Sequence, residues 1–211
     1  KFYKIDPKKI IVMEHGVDLD IFKFQEKEIH PPFIIMYSGA LVESYDFKIL
    51  LEAAKKLIHK NFQFVIRGKG LLLEELKKKK HELNLTNVLI DSTLVENEQL
   101  SSVLSTADIF LVPMKDNYFL NLSLPTKILE YQALGRPIIC LSDGAPGNYV
   151  QNTNSGLKIS TNNLSELINA IENLRSDNNL LKMLGENGVR YVNDNLTFTK
   201  IAKRLSILIE N

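Results

Sequence analysis

The apolar residues of this 211-residue chain change their period in a regular order, and that order restricts the fold more than any other feature. Short continuous apolar runs occur at 33–37, 62–66, 88–90, 109–112, 137–141 and 157–159. Each has the length of a strand buried on both faces. Between them lie stretches with helical spacing. Phe47, Leu50, Leu51, Ala54 and Leu57 form one stripe, Leu72, Leu76 and Leu83 a second, and Leu100, Val103 and Leu104 a third. Strands that alternate with helices imply right-handed βαβ crossovers, and hence a doubly wound, mostly parallel, six-stranded Rossmann-like α/β sheet.

After residue 159 the pattern is helical only. Asn163 or Ser165 suits the cap of a helix carrying Leu164, Leu167, Ile168 and Ile171. A second helix is predicted over 180–191, and a last one from Thr197 aligns Phe198, Ile201, Leu205 and Leu208. Residues 1–30 read as an entry segment and interdomain linker, with a short strand at 10–13 and a turn at Gly16. They lead into one Rossmann-like domain over 31–211.

Charge narrows the function classes. Lys and Arg number 26 against 25 Asp and Glu, for a formal charge of +1. That excludes the basic footprint of a dedicated nucleic-acid binder and the composition of an acidic disordered chain. The single cysteine, Cys140, rules out an internal disulfide and fits a reducing, cytoplasmic compartment as an inert core residue. His15 and His59 have no partner at ligand spacing, so no metal is expected. No apolar run approaches the ~20 residues that cross a bilayer. The four lysines from Lys77 to Lys80 read as a solvated helix face. The chain starts at Lys1 rather than Met, which predicts a piece of something longer.

In such a sheet, ligands bind at the carboxyl ends of the strands where the strand order reverses. With 33–37 as the first strand and 109–112 beside it, that crevice lies between Ser38-Gly39-Ala40 and the loop 113–124. The loop ends at Pro125, a residue suited to the first position of a helix. Thr126 and Lys127 would then present free N–H groups at the positive end of the helix dipole, and Lys127 adds a full charge. The anion is not a nicotinamide or flavin dinucleotide, because no G-x-G-x-x-G follows the first strand. No Walker A motif is present either.

The string from Pro125 to Ile139, PTKILEYQALGRPII, resembles the P-[ST]-K-x-x-E-[AY]-x-A-x-G-x-P-[VI] stretch of group 1, or family 4, retaining glycosyltransferases. Further resemblances follow in register: His15-Gly16-Val17-Asp18, Ser38-Gly39-Ala40-Leu41, Arg67-Gly68-Lys69-Gly70, the stretch from Ala107 to Pro113, and Ser155-Gly156-Leu157. They span essentially the whole chain. The resemblance implies one half of a GT-B fold, the C-terminal domain that binds a nucleotide-diphosphate sugar. That sugar is a substrate, so no cofactor is implied. The partners implied are the missing N-terminal domain and a lipid-linked or polysaccharide acceptor. Any contact with the inner face of the membrane would run through that absent domain.

The same resemblance assigns roles. Glu130 matches the second Glu of the family's E-x7-E signature and would accept hydrogen bonds from the ribose hydroxyls. Pro125, Thr126 and Lys127 would meet the diphosphate, next to Gly39. Leu94 would lie near the base, with core packing as the alternative. Arg67 and Lys69 would add positive charge, with a salt bridge as the alternative for Arg67. The stretch from Asp143 to Gly147 resembles a family loop that approaches the donor sugar. No catalytic residue is assigned. The departures are Leu122, where the first Glu belongs, and Ala40 and Tyr45, near which the family places the Arg and Lys that clamp the diphosphate. They leave open a non-catalytic module that keeps the fold and has lost the clamp.

Overall fold

The computed structural model of the chain describes residues 5–210. Six strands form one sheet, β1 (Phe33–Ser38), β2 (Phe62–Arg67), β3 (Val88–Asp91), β4 (Ile109–Pro113), β5 (Ile138–Leu141) and β6 (Gly156–Ile159). Every pairing is parallel and the order is β3-β2-β1-β4-β5-β6. The order reverses between β1 and β4, as the sequence predicts.

Both faces of the sheet are covered, which is why its strands are continuous apolar runs. Phe33, Ile35 and Tyr37 of β1 face one core with Phe64, Ile66, Ile109, Leu111, Ile139 and Leu141. Helices α1 (Phe47–Lys56), α2 (Leu73–Glu82) and α6 (Leu164–Ser176) close that side. Met36, Val65, Phe110, Val112, Ile138 and Cys140 point the other way. They pack under α3 (Asn97–Leu104), α4 (Thr126–Ala133) and α5 (Ala145–Asn152). Burial pushes the Cys140 thiol up to about 12, as expected of an unreactive core cysteine. Helix α7 (Asn178–Asn195) lies against α4, and α8 (Phe198–Glu210) closes the described chain.

Local chemistry sets the helix starts. The Asp46 side chain accepts from the N–H groups of Lys48 and Ile49 at 3.0 and 3.2 Å and so starts α1. Asn163 caps α6 by accepting from Glu166 N–H at 3.1 Å, while its own amide donates to the Glu166 carboxylate at 2.9 Å. The lysine run on α2 pairs with Glu74, Glu75 and Glu82 along the helix surface.

Three expectations need correction. Residues 10–13 form no strand: Ile11 and Val12 are exposed, and neither edge strand of the sheet, β3 or β6, pairs with them. The entry segment is anchored further on, where Val17 bridges Thr197. The stretch from Asp143 to Gly147 is not all loop: its last three residues open α5, with Pro146 in the first turn, where no intrahelical N–H is required of it. Pro125 is the N-cap of α4 rather than its first helical residue. The last expected helix is present as α8; none of its aligned residues is buried, and Phe198 and Leu205 are exposed.

Two motif residues of the sequence work at the amino ends of the strands. Asp108 is buried, accepts from Ile34 N–H at 2.7 Å and pairs with Lys27 of the entry segment. Arg136 donates to the carbonyls of Ala107 at 3.0 Å and Gln25 at 2.9 Å. Between them they fasten residues 25–27 to the sheet. Asp108→Ala strands the Ile34 N–H and leaves the Lys27 ammonium with only the Thr106 carbonyl. The expected loss is about 2–4 kcal/mol, read as a lower urea midpoint with an unchanged slope.

Candidate functional site

The loops that follow β1, β2 and β4 are stitched together at the point where the strand order reverses. Gly39 N–H donates to the Arg67 carbonyl at 3.0 Å and Leu41 N–H to the Lys69 carbonyl at 2.8 Å. A side chain at Gly68 or Gly70 would run into the backbone of Gly39 or Leu41, and both glycines have positive φ, +144° and +157°. The glycine pair after β2 therefore lets two loops touch. On the other side Tyr45 bridges Met114, and Asp46 N–H donates to the Pro113 carbonyl at 2.7 Å.

Helix α4 begins over this floor. Tyr131, fully buried, fixes it to the end of β1: its hydroxyl accepts from Ser38 N–H at 2.9 Å and donates to the Ser38 carbonyl at 2.7 Å. Its ring stacks on Phe110 of β4 with centroids 3.7 Å apart. One turn earlier on the same helix, Lys127 reaches the end of the first strand. Its ammonium nitrogen donates to Tyr37 Oη at 2.7 Å and lies 4.0 Å from the ring centroids of both Tyr37 and Tyr45. Gly39 has φ +143°, and a Cβ there would collide with Lys127 Nζ. Burial lowers the Lys127 pKa to about 7, against an upward pull from Glu130. The Glu130 carboxyl is raised by its own burial and held back by Lys127.

The structure brings Gly39, Lys127 and Glu130 together with Thr126, and Pro125 caps the helix that carries them. The remaining candidates lie at the ends of β2 and β3. Arg67 is only 5% exposed: it pairs with Asp91 and donates to the Thr93 carbonyl at 2.8 Å. The salt bridge describes this side chain. Leu94, next to Thr93, is 76% exposed, so core packing does not describe it. Lys69 is exposed in the loop after β2. Of the departures, Ala40 and Leu122 are exposed, and Tyr45 lies against Lys127.

Sequence reasoning misses the three tyrosines. Tyr37 reads only as the end of an apolar run, Tyr131 only as a letter of the string from Pro125 to Ile139, and Tyr45 only as a lost cation. The contacts of Tyr37 with Lys127 and of Tyr131 with Ser38 span 90 and 93 positions, which no local pattern encodes. Among the described residues no group of three or more His, Cys, Asp or Glu is placed to hold a metal ion.

The sequence profile described as "Glycosyl transferases group 1" matches residues 19–191. The chain belongs to the group 1 glycosyltransferases. It is 29% identical over 198 residues to an Escherichia coli UDP-Gal:alpha-D-GlcNAc-diphosphoundecaprenol alpha-1,3-galactosyltransferase, covering 87% of this chain and 49% of that protein. It is 24% identical over 202 residues to a Candida albicans chitobiosyldiphosphodolichol beta-mannosyltransferase, covering 92% and 42%. The chain thus spans about half the length of the curated relatives it matches. Among solved structures, Anabaena Alr3699/HepE in complex with UDP superposes with a TM-score of 0.78 at 15% identity, over 92% of this chain and 56% of that one. The C-terminal domain of a group 1 family protein (LpcC) from Francisella tularensis gives 0.69 at 18%, over 87% of this chain and all of that one. These two likenesses are of fold, and they set this group 1 glycosyltransferase chain beside GT-B glycosyltransferases.

Within this family member, the attachment of α4 to β1 has a measurable worth. Tyr131→Phe keeps the stacked ring and removes both hydrogen bonds to Ser38, stranding a buried N–H and a carbonyl. A loss of about 1–3 kcal/mol is expected in urea unfolding. An unchanged midpoint would show that water replaces the hydroxyl.

Proposed function

We propose that this chain is the donor-binding half of a retaining glycosyltransferase, which moves a hexosyl group from a nucleotide-diphosphate sugar to a hydroxyl acceptor in glycan or glycolipid synthesis. The observation that carries the reading is the half-buried amine of Lys127 at the start of α4, against Gly39 at the reversal of strand order, with Glu130 one turn on. The helix start and Lys127 neutralise the diphosphate. Glu130 accepts from two vicinal ribose hydroxyls, and Leu94 covers the base. The UDP named with the Anabaena structure and the UDP-Gal in the name of the Escherichia coli relative support a nucleotide-sugar donor. The diphosphoundecaprenol and diphosphodolichol in the relatives' names support a lipid-linked acceptor, held by the half that this chain does not include.

Retaining transfer passes through an oxocarbenium-like state in which the leaving diphosphate gathers negative charge as the glycosidic bond breaks. Fixed positive groups aimed at that charge lower the barrier. In this reading Lys127 and the α4 start do so without a metal or a cofactor. No helix among the described residues is long and apolar enough to cross a membrane.

A second reading, a nucleotide-binding or interaction module without catalysis, draws on Ala40, Tyr45 and Leu122 and on the engagement of Arg67 by Asp91. Turnover of a nucleotide sugar by the full-length protein separates the two. The donor reading itself is tested by calorimetry with UDP, GDP and ADP. At least one is expected to bind, and Lys127→Ala is expected to weaken the diphosphate about 10–100-fold while sparing the nucleoside. An equal loss for nucleoside and diphosphate would remove Lys127 from its assigned role.

A further inference from the structure

Lys127 is enclosed in an unusual way for a group meant to meet an anion. Two ring faces, from Tyr37 and Tyr45, each lie 4.0 Å from its nitrogen, and Gly39 leaves just enough room beside it. Tyr37 Oη donates its own proton to the Ala40 carbonyl at 2.6 Å, so it faces the amine as an acceptor. None of the ion pairs among the described residues includes Lys127. The rings favour the ammonium and burial opposes it. No carboxylate is in contact to offset burial, which lowers the amine's pKa to about 7.

The other groups facing this amine do not share its titration. Tyr37 from β1 and Tyr45 from the following loop are both raised by burial, so their phenols stay protonated. Tyr131, which acts on Tyr37, is raised as well. Glu130 on α4 is the one carboxylate that acts on Lys127 among the described residues. A diphosphate placed over this pocket adds negative charge within a few ångströms, which favours the ammonium strongly in a partly desolvated site.

Building on the nucleotide-sugar reading, we propose that Lys127 takes up a proton from solvent as the nucleoside diphosphate binds, and that Tyr37 and Tyr45 are positioning residues that hold the amine ready for it. The diphosphate is then met by a charge that forms with it. The sign follows from linkage. The complex holds more protons than the free protein between the amine's free and bound pKa values, so affinity falls as pH rises through that window.

The test is calorimetry of the tightest binder among UDP, GDP and ADP, at pH 7.5 to 8.5 and constant ionic strength, in two buffers of different ionisation enthalpy. Phosphate oxygens with second pKa values of about 6 are already ionised there. The expected result is uptake of most of one proton per nucleotide at pH 8 and an affinity that drops several-fold, up to about tenfold, per pH unit. Lys127→Arg, which stays charged, should bind without proton uptake and with a flat pH profile. Glu130→Gln should keep the uptake, and so should Tyr45→Phe, which keeps the ring. Tyr45→Leu should lower both the affinity and the number of protons taken up, whereas a merely structural role would leave the proton count unchanged.

Binding without proton exchange, or the same uptake by Lys127→Arg, overturns the proposal while leaving the donor reading intact. Failure of a folded chain to bind any of the three nucleotides overturns the donor reading and this inference with it.

Discussion

Everything in the strand-end crevice depends on α4 being held against the last residue of β1. Tyr131 does this with one hydroxyl that both accepts from and donates to the Ser38 main chain, while its ring lies flat on Phe110. Those contacts join neighbouring strands of the reversal point through a single helix. Because Lys127 lies four residues before Tyr131 on α4, fixing one fixes the other. The buried phenol finds two partners on the main chain of an otherwise apolar region, so it gains position at little desolvation cost.

The polar groups of the molecule divide between the two ends of the sheet. At the amino ends, Asp108 and Arg136 are satisfied by backbone groups and by the entry segment, and their work is to attach residues 25–27. At the carboxyl ends, Arg67 is satisfied within the sheet edge by Asp91 and Thr93. Lys127 differs from all three. Its hydrogen-bond partner is a neutral phenol and its neighbours are ring faces, so its charge has no counter-charge in contact. A half-buried cation of that kind is costly to keep charged. It marks the place where the fold is arranged for something other than its own stability.

How much of this is legible in the sequence follows from how local each signal is. The six strands and their order can be read because short apolar runs between helical stripes require a sheet covered on both faces, and because crossover handedness leaves few topologies. The run at 10–13 looks similar and is no strand, since an apolar segment becomes one only where a sheet edge accepts it. Helix α5 is hidden by glycine and proline, which signal turns in general yet fit its first turn. The start of α4 is visible from Pro125, Thr126 and Lys127. The enclosure of the amine is not, because it comes from Tyr37 and Tyr45, brought to it by the β1–β4 pairing. Gly68 and Gly70 are ambiguous for a related reason: a glycine pair suggests a phosphate cradle, while here it is the room two loops need to touch.

The near-zero net charge of the chain bears on the same point. With 26 basic and 25 acidic side chains, no overall field draws an anion to the crevice, so any attraction must be local. Ala40 and Tyr45 add no charge to this floor. A permanent pair of cations in this partly buried floor would repel each other whenever no anion lies between them, and would need carboxylates to offset them, as Arg67 needs Asp91. The neutral Tyr45 ring carries no such burden and supplies a surface on which a single amine rests. The aromatic residue at Tyr45 and the lysine at 127 are thus best understood as a pair. Tyr45 packs against Tyr37 and Phe47 in any case, whereas Lys127 without the rings would be a partly buried cation with nothing to hold it.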